Sequence, residues 1–100
     1  MVVYKIVYTR QAAKDINNLK AAGLGEKAKE LLEIIRVDPY KTPPRYEALV
    51  GNLSGLFSRR INIQHRLVYQ VYNDPFEEDG QQFDGTIKIV RMWTHYDKVT

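Results

Sequence analysis

The sequence predicts an α+β fold in the order β-α-α-β-β-β, an antiparallel sheet covered on one face by an N-terminal helical hairpin. Three observations carry this. An alternating run of β-branched and aromatic residues opens the chain, two stretches of helical period follow between residues 10 and 37, and three strand-like runs fill the second half. With 100 residues, 44% of them hydrophobic, the chain is expected to be one domain, 1–100, with material for a single core.

From residue 2 to residue 9 the chain alternates, Val2, Tyr4, Ile6 and Tyr8 against Val3, Lys5, Val7 and Thr9, which predicts a strand. Thr9 is placed to cap a helix over 10–22, stopped by Gly23, with a thin apolar stripe of Ala12, Ile16, Leu19 and Ala22. A second helix is expected over 25–37. There Ala28, Leu31, Leu32 and Ile35 fall at i, i+3, i+4 and i+7, and Pro39 ends it. Pro39, Pro43 and Pro44 make 37–50 a connecting segment. Strands are predicted over 56–62, 65–72 and 86–94, the first two as a hairpin and the last two joined by a long loop over 73–85. In the middle strand alternation puts Arg66 on the face opposite Leu67 and Val71, away from the helices.

Net charge is only +3, but it is unevenly spread. The stretch 73–85 holds Asp74, Glu77, Glu78, Asp79 and Asp84 and no Lys or Arg; without it 15 basic residues face 7 acidic ones, or +8. A basic body points to a polyanionic partner, nucleic acid first. No Cys is present, which removes disulfides and Cys-based zinc sites. The start of the chain is β-patterned and carries Lys5, so no signal peptide is expected, and no apolar run approaches a membrane span. A cytoplasmic protein with no membrane contact is the expectation.

His65 and His95, the two histidines, lack helical i, i+4 spacing and a third ligand, so neither a metal nor another cofactor is expected. No phosphate-binding glycine loop or nucleophile elbow occurs. What stands out is Arg59, Arg60, Arg66, Arg91, His95 and Tyr96 around the last three strands, with Glu47 at the sheet edge behind two prolines. Metal-free RNA cleavage needs such a set: a base for the ribose 2′-OH, cations for the phosphorane, an acid for the departing 5′-oxygen. Taken singly, each residue also has a structural explanation: a solvated Glu, weakly paired surface Arg, a capping His65, a core Tyr96. Composition alone favours these structural explanations, with a nuclease, a non-catalytic interaction protein and an RNA-binding module as the functional readings.

The blocks Glu47-Ala48-Leu49, Asn52-Leu53-Ser54-Gly55, Phe57-Ser58-Arg59-Arg60-Ile61 and His65-Arg66-Leu67-Val68-Tyr69, with Thr94-His95-Tyr96 at the end, resemble the Txe/YoeB family of toxin endoribonucleases. The resemblance implies the RelE/ParE superfamily fold and metal-independent, ribosome-dependent cleavage of mRNA in the A site, against rRNA, leaving a 2′,3′-cyclic phosphate. It also implies neutralisation by a cognate antitoxin and, often, a toxin homodimer. Carried over by position, Glu47 is the general base, Arg66 the phosphate-stabilising cation, His95 the general acid and Tyr96 the residue orienting the scissile nucleotide. Arg59 and Arg60 are expected RNA contacts. Family members commonly carry Lys shortly after the Glu; here Val50 and Gly51 stand there, so one phosphate contact is either missing or supplied by Arg45. The acidic stretch 73–85 is longer than the tight turn the family pattern implies. ParE-like relatives on the same fold are non-catalytic, which is the alternative function.

Overall fold

A computed structural model describes residues 1–93. Strand β1 (Val3–Tyr8) leads into helix α1 (Arg10–Ala21) and helix α2 (Gly25–Val37), followed by β2 (Tyr46–Ala48), a 3-10 turn (Gly51–Leu53), β3 (Leu56–Arg60), β4 (Arg66–Tyr72), β5 (Phe76–Glu78) and β6 (Gln81–Arg91). The helices begin where their sequence signals lie. Thr9 is extended and its hydroxyl accepts from the Ala12 N–H, satisfying one of the free amides of the first turn of α1.

The α+β class and the helical hairpin agree with the sequence, but the sheet is mixed. Its order is β1-β6-β4-β3-β2, with β5 paired to β6, and β1 runs parallel to β6. A parallel pair requires a long connection, and here α1, α2 and β2 to β5 all intervene between β1 and β6. Alternation in β1 fixed which residues share a face; it carried no information about the partner strand.

Three further differences concern the loops. The Pro-rich stretch 37–50 contains β2, which among the described strands is at the edge and pairs with β3 alone. That position tolerates nearby prolines because β2 needs ladder bonds on one side only. The acidic stretch 73–85 is not a loop but an extension of the sheet, in which β5 and the start of β6 form a hairpin. Its two-residue turn, Asp79-Gly80, has φ of 50° and 81°, the left-handed pair that matches strand twist. Phe76 and Phe83 stack across it with ring centroids 5.1 Å apart, which holds the hairpin closed. The last strand ends at Arg91, short of the expected 94.

The core lies between the helices and one face of the sheet. Ala12 and Leu19 from α1 and Ala28, Leu31 and Ile35 from α2 meet Leu67, Tyr69, Ile87 and Ile89. Each fully buried Leu or Ile contributes about 1.5–3 kcal/mol relative to exposure. Among the described residues no helix is long and apolar enough to cross a membrane.

Candidate functional site

Register decides what gathers on the sheet face away from the helices. Glu47 pairs with Ser58, Ser58 with Val68, and Arg60 with Arg66. Directly paired residues share a face, so Glu47, Ser58, Arg60 and Arg66 lie together there, and Tyr46, Arg59 and Leu67 point the other way. The segment before β2 closes one side, giving a cleft of about 310 Å³ lined by Pro44, Arg45, Glu47, Ser58, Arg60 and Arg66.

Within this cleft Arg66 Nη1 stands 3.1 Å from Glu47 Oε1 and 3.5 Å, the long limit of a hydrogen bond, from the Ser58 hydroxyl. The Arg66 side chain is 15% exposed and that of Glu47 37%, so the guanidinium is sheltered while the carboxylate remains open to a ligand. Arg60 and Arg66 are a directly opposed cross-strand pair of like charge. Such a pair disfavours folding unless an anion lies nearby. Three guanidinium groups against one carboxylate leave the lining net positive, the balance expected for an oligoanion. A larger hollow of about 550 Å³ between the helices and the end of β1 is lined by Ile16, Leu19, Leu32 and Met92 among others. Lys20, Glu26 and Lys29 also line it, but no guanidinium does. Among the described residues no three His, Asp or Glu side chains gather as metal ligands would.

Of the residues singled out by sequence, Arg45, Glu47, Arg60 and Arg66 come together at the cleft. His95 and Tyr96 lie outside the described residues. Arg59 departs from expectation. It is fully buried, with its guanidinium bonded to the Tyr69 hydroxyl and to the carbonyls of Pro39 and Pro44, so it has no surface to offer RNA. Adjacent residues in a strand point to opposite faces, and only Arg60 of the pair faces the cleft.

His65 is buried just before β4 and does not line the cleft. Its backbone accepts from the amides of Ile61 and Asn62, and its ring stacks on Trp93 with centroids 3.8 Å apart. Trp93 is therefore held beside the residue that precedes Arg66. Asp15, unremarkable in sequence, is fully buried and accepts from Arg91 Nε at 2.9 Å, from the Met92 N–H at 3.0 Å and from Gln11 at 3.2 Å. Burial alone would raise its carboxyl pKa. The hydrogen bonds from Arg91, Met92 and Gln11 outweigh that and hold it below the ordinary Asp value. No periodic pattern could have flagged Asp15, because its ionic partner lies 76 positions away.

A sequence profile of the family described as YoeB-like toxin of bacterial type II toxin-antitoxin system matches residues 8–96. The chain belongs to this family of YoeB-like toxins. Curated relatives agree over shorter spans: it is 45% identical over 49 residues to Toxin YoeB of Escherichia coli K12 and 49% identical over 41 residues to Toxin YoeB of Synechocystis. Those matches cover 49% and 41% of this chain and 58% and 48% of the relatives, so the chain spans about half the length of the curated relatives it matches. Among solved structures it is similar to the Staphylococcus aureus YoeB dimer, at 33% identity and a TM-score of 0.70. That likeness covers 93% of this chain and 98% of the other. Similarity to the YoeB toxin of the S. aureus YoeB-YefM complex is of the same order, 33% identity and a TM-score of 0.67 over 93% and 98% of the two chains. The YoeB/ParE toxin from Agrobacterium tumefaciens aligns with a TM-score of 0.73 at 26% identity over 92% of this chain and 99% of that one. The YoeB-like fold of this chain is thus α+β with two helices and a mixed sheet.

Proposed function

We propose that this YoeB-like toxin is a metal-independent, ribosome-dependent endoribonuclease that cuts mRNA in the A site and so inhibits translation. The observation that carries the reading is the Glu47–Arg66 pair, at 3.1 Å, in a cleft whose remaining cations are Arg45 and Arg60. In the proposed reaction Glu47 removes the ribose 2′ proton as the 2′-oxygen attacks phosphorus. The bond from phosphorus to the 5′-oxygen breaks, and His95 protonates the departing oxygen. The products are a 2′,3′-cyclic phosphate and a 5′-hydroxyl.

Arg66, largely sheltered from water, stabilises charge on the phosphorane more strongly than an exposed cation would. Arg45 and Arg60 hold flanking phosphates. Tyr96 orients the nucleotide. The roles of His95 and Tyr96 rest on the resemblance of Thr94-His95-Tyr96 to the family's C-terminal pair. By likeness to the S. aureus toxins, whose structures are a YoeB-YefM complex and a YoeB dimer, we propose a cognate antitoxin and self-association for this chain. The cytoplasm, where translating ribosomes are, is the proposed location.

The test is to add the purified protein to translating ribosomes and map the 5′ ends of the message. New ends in A-site register that vanish with Glu47→Gln, Arg66→Ala or His95→Gln are the expected result. Intact message in the presence of folded protein would refute the reading.

A further inference from the structure

A fully buried guanidinium is stable only when its donors meet acceptors. Arg59 meets this condition with neutral groups. Its Nε donates to the Tyr69 hydroxyl at 3.0 Å, Nη1 to the Pro44 carbonyl at 2.6 Å and Nη2 to the Pro39 carbonyl at 3.0 Å. Tyr69 in turn donates to the Pro39 carbonyl at 2.8 Å. Burial raises the Tyr69 phenol above its ordinary pKa against the opposing pull of Arg59, so the hydroxyl keeps the proton it shares with Pro39. The guanidinium carbon also lies 5.1 Å from the centroid of the Tyr46 ring.

These contacts converge on one piece of chain. Pro39 stands where the chain leaves α2, and Pro44 lines the cleft one residue before Arg45. Beyond them comes β2, three residues long and, among the described strands, paired on one side only, yet it carries Glu47. The planar fork of Arg bridges two carbonyls and a phenol at once, which a Lys ammonium on a flexible stem cannot do. We propose that Arg59 is a positioning residue: from behind the cleft wall it clamps the segment 39–46 against the sheet and so sets Glu47 opposite Arg66. Its catalytic consequence rests on the ribonuclease reading above; its geometric consequence does not.

The experiment compares wild type with Arg59→Lys by two readouts. The first is amide hydrogen exchange over 46–49, including the Leu49 N–H that donates to the Leu56 carbonyl at 2.9 Å. Exchange there is expected to accelerate about tenfold or more, with amides of α2 and β4 unchanged. The second is message cleavage on ribosomes, where kcat is expected to fall about tenfold with KM kept within about twofold. Unchanged exchange overturns the proposal, whatever cleavage does, and a rise in KM alone would make Arg59 an RNA contact instead. Faster exchange in the variant of a protein whose wild type makes no cuts would uphold the clamp and refute the nuclease. Should Arg59→Lys fail to fold, Tyr69→Phe removes one acceptor of Arg59 and one donor to Pro39 without changing charge, and the same two readouts decide.

Discussion

Glu47 and Arg66 meet across the intervening strand β3, with Oε1 and Nη1 3.1 Å apart, although 19 positions separate them in the chain. The pair is only half-sheltered, Glu47 being 37% exposed in its side chain, so its contribution to folding is at most about 1 kcal/mol. On the proposed ribonuclease reading its contribution to RNA cleavage is far larger, because a general base supplies a factor of about 10²–10⁴. Glu47→Gln should therefore leave the urea midpoint nearly unchanged and reduce single-turnover cleavage by about a hundredfold or more. A large stability loss with little kinetic effect would make the pair structural.

Asp15 behaves in the opposite way. It is fully buried and tied to Arg91 and Met92, so removing its carboxylate leaves a quarter-exposed guanidinium and a buried amide without that acceptor. Asp15→Ala is expected to cost about 3 kcal/mol, the lower part of the range for a broken buried pair. The pH dependence follows from the depressed carboxyl. A folded-state pKa below the unfolded value contributes stability that is present above the unfolded pKa of about 3.9 and is lost as pH falls through the folded pKa. Wild type should thus lose stability more steeply than Asp15→Asn as pH drops below about 4, measured as thermal midpoints across a pH series. Parallel curves for the two proteins would show that Asp15 contributes nothing to acid unfolding.

How much of this could be read from sequence depended on whether the signal was local. The i, i+3, i+4, i+7 pattern of Ala28, Leu31, Leu32 and Ile35 placed α2 at its observed bounds, Gly25–Val37, and Thr9 capped α1 where its hydroxyl indicated. Alternation also separated Arg59 from Arg60 by face, but not which face was buried. That depended on Pro39 and Pro44 arriving behind β3, a contact spanning 15–20 positions. The parallel pairing of β1 with β6 and the Asp15–Arg91 pair were hidden for the same reason. Tertiary partners leave no periodic trace in either segment.

Gly85 supplies a third prediction. An added Cβ there would lie 2.0 Å from the Tyr72 carbonyl oxygen, a backbone atom of the neighbouring strand that cannot swing aside as a side-chain tip would. Gly85→Ala must therefore push β4 and β6 apart where the acidic hairpin begins. The expected loss is about 1–3 kcal/mol, the usual range for overpacking, read as a lowered urea midpoint. Gly80→Ala, at the exposed turn, meets no atom within 4 Å but is strained at φ 81°, and it should cost about 1 kcal/mol, as a residue without Gly's freedom does in the left-handed region. Equal stability of Gly85→Ala and wild type would mean that the strands separate at that point without penalty.

The acidic hairpin supplies the last. Asp74, Glu77, Asp79 and Asp84 are all exposed, while Glu78 is paired with Lys5. Replacing these four acids, which form no ion pair among the described residues, by Asn or Gln raises the net charge of the chain from +3 to +7. The turn tolerates this, since Asn adopts the left-handed conformation of Asp79 readily. Because these groups lie on the surface, their effect on a polyanion acts over distance and belongs to the association rate. The fourfold variant should bind RNA or ribosomes about tenfold faster at low ionic strength, measured by stopped-flow mixing. The advantage should vanish near 1 M salt, where the screening length falls to about 3 Å. If the two proteins associate equally fast at low salt, the hairpin charge exerts no repulsion on the approaching nucleic acid. If the advantage survives at high salt, the substitutions have created a direct contact instead.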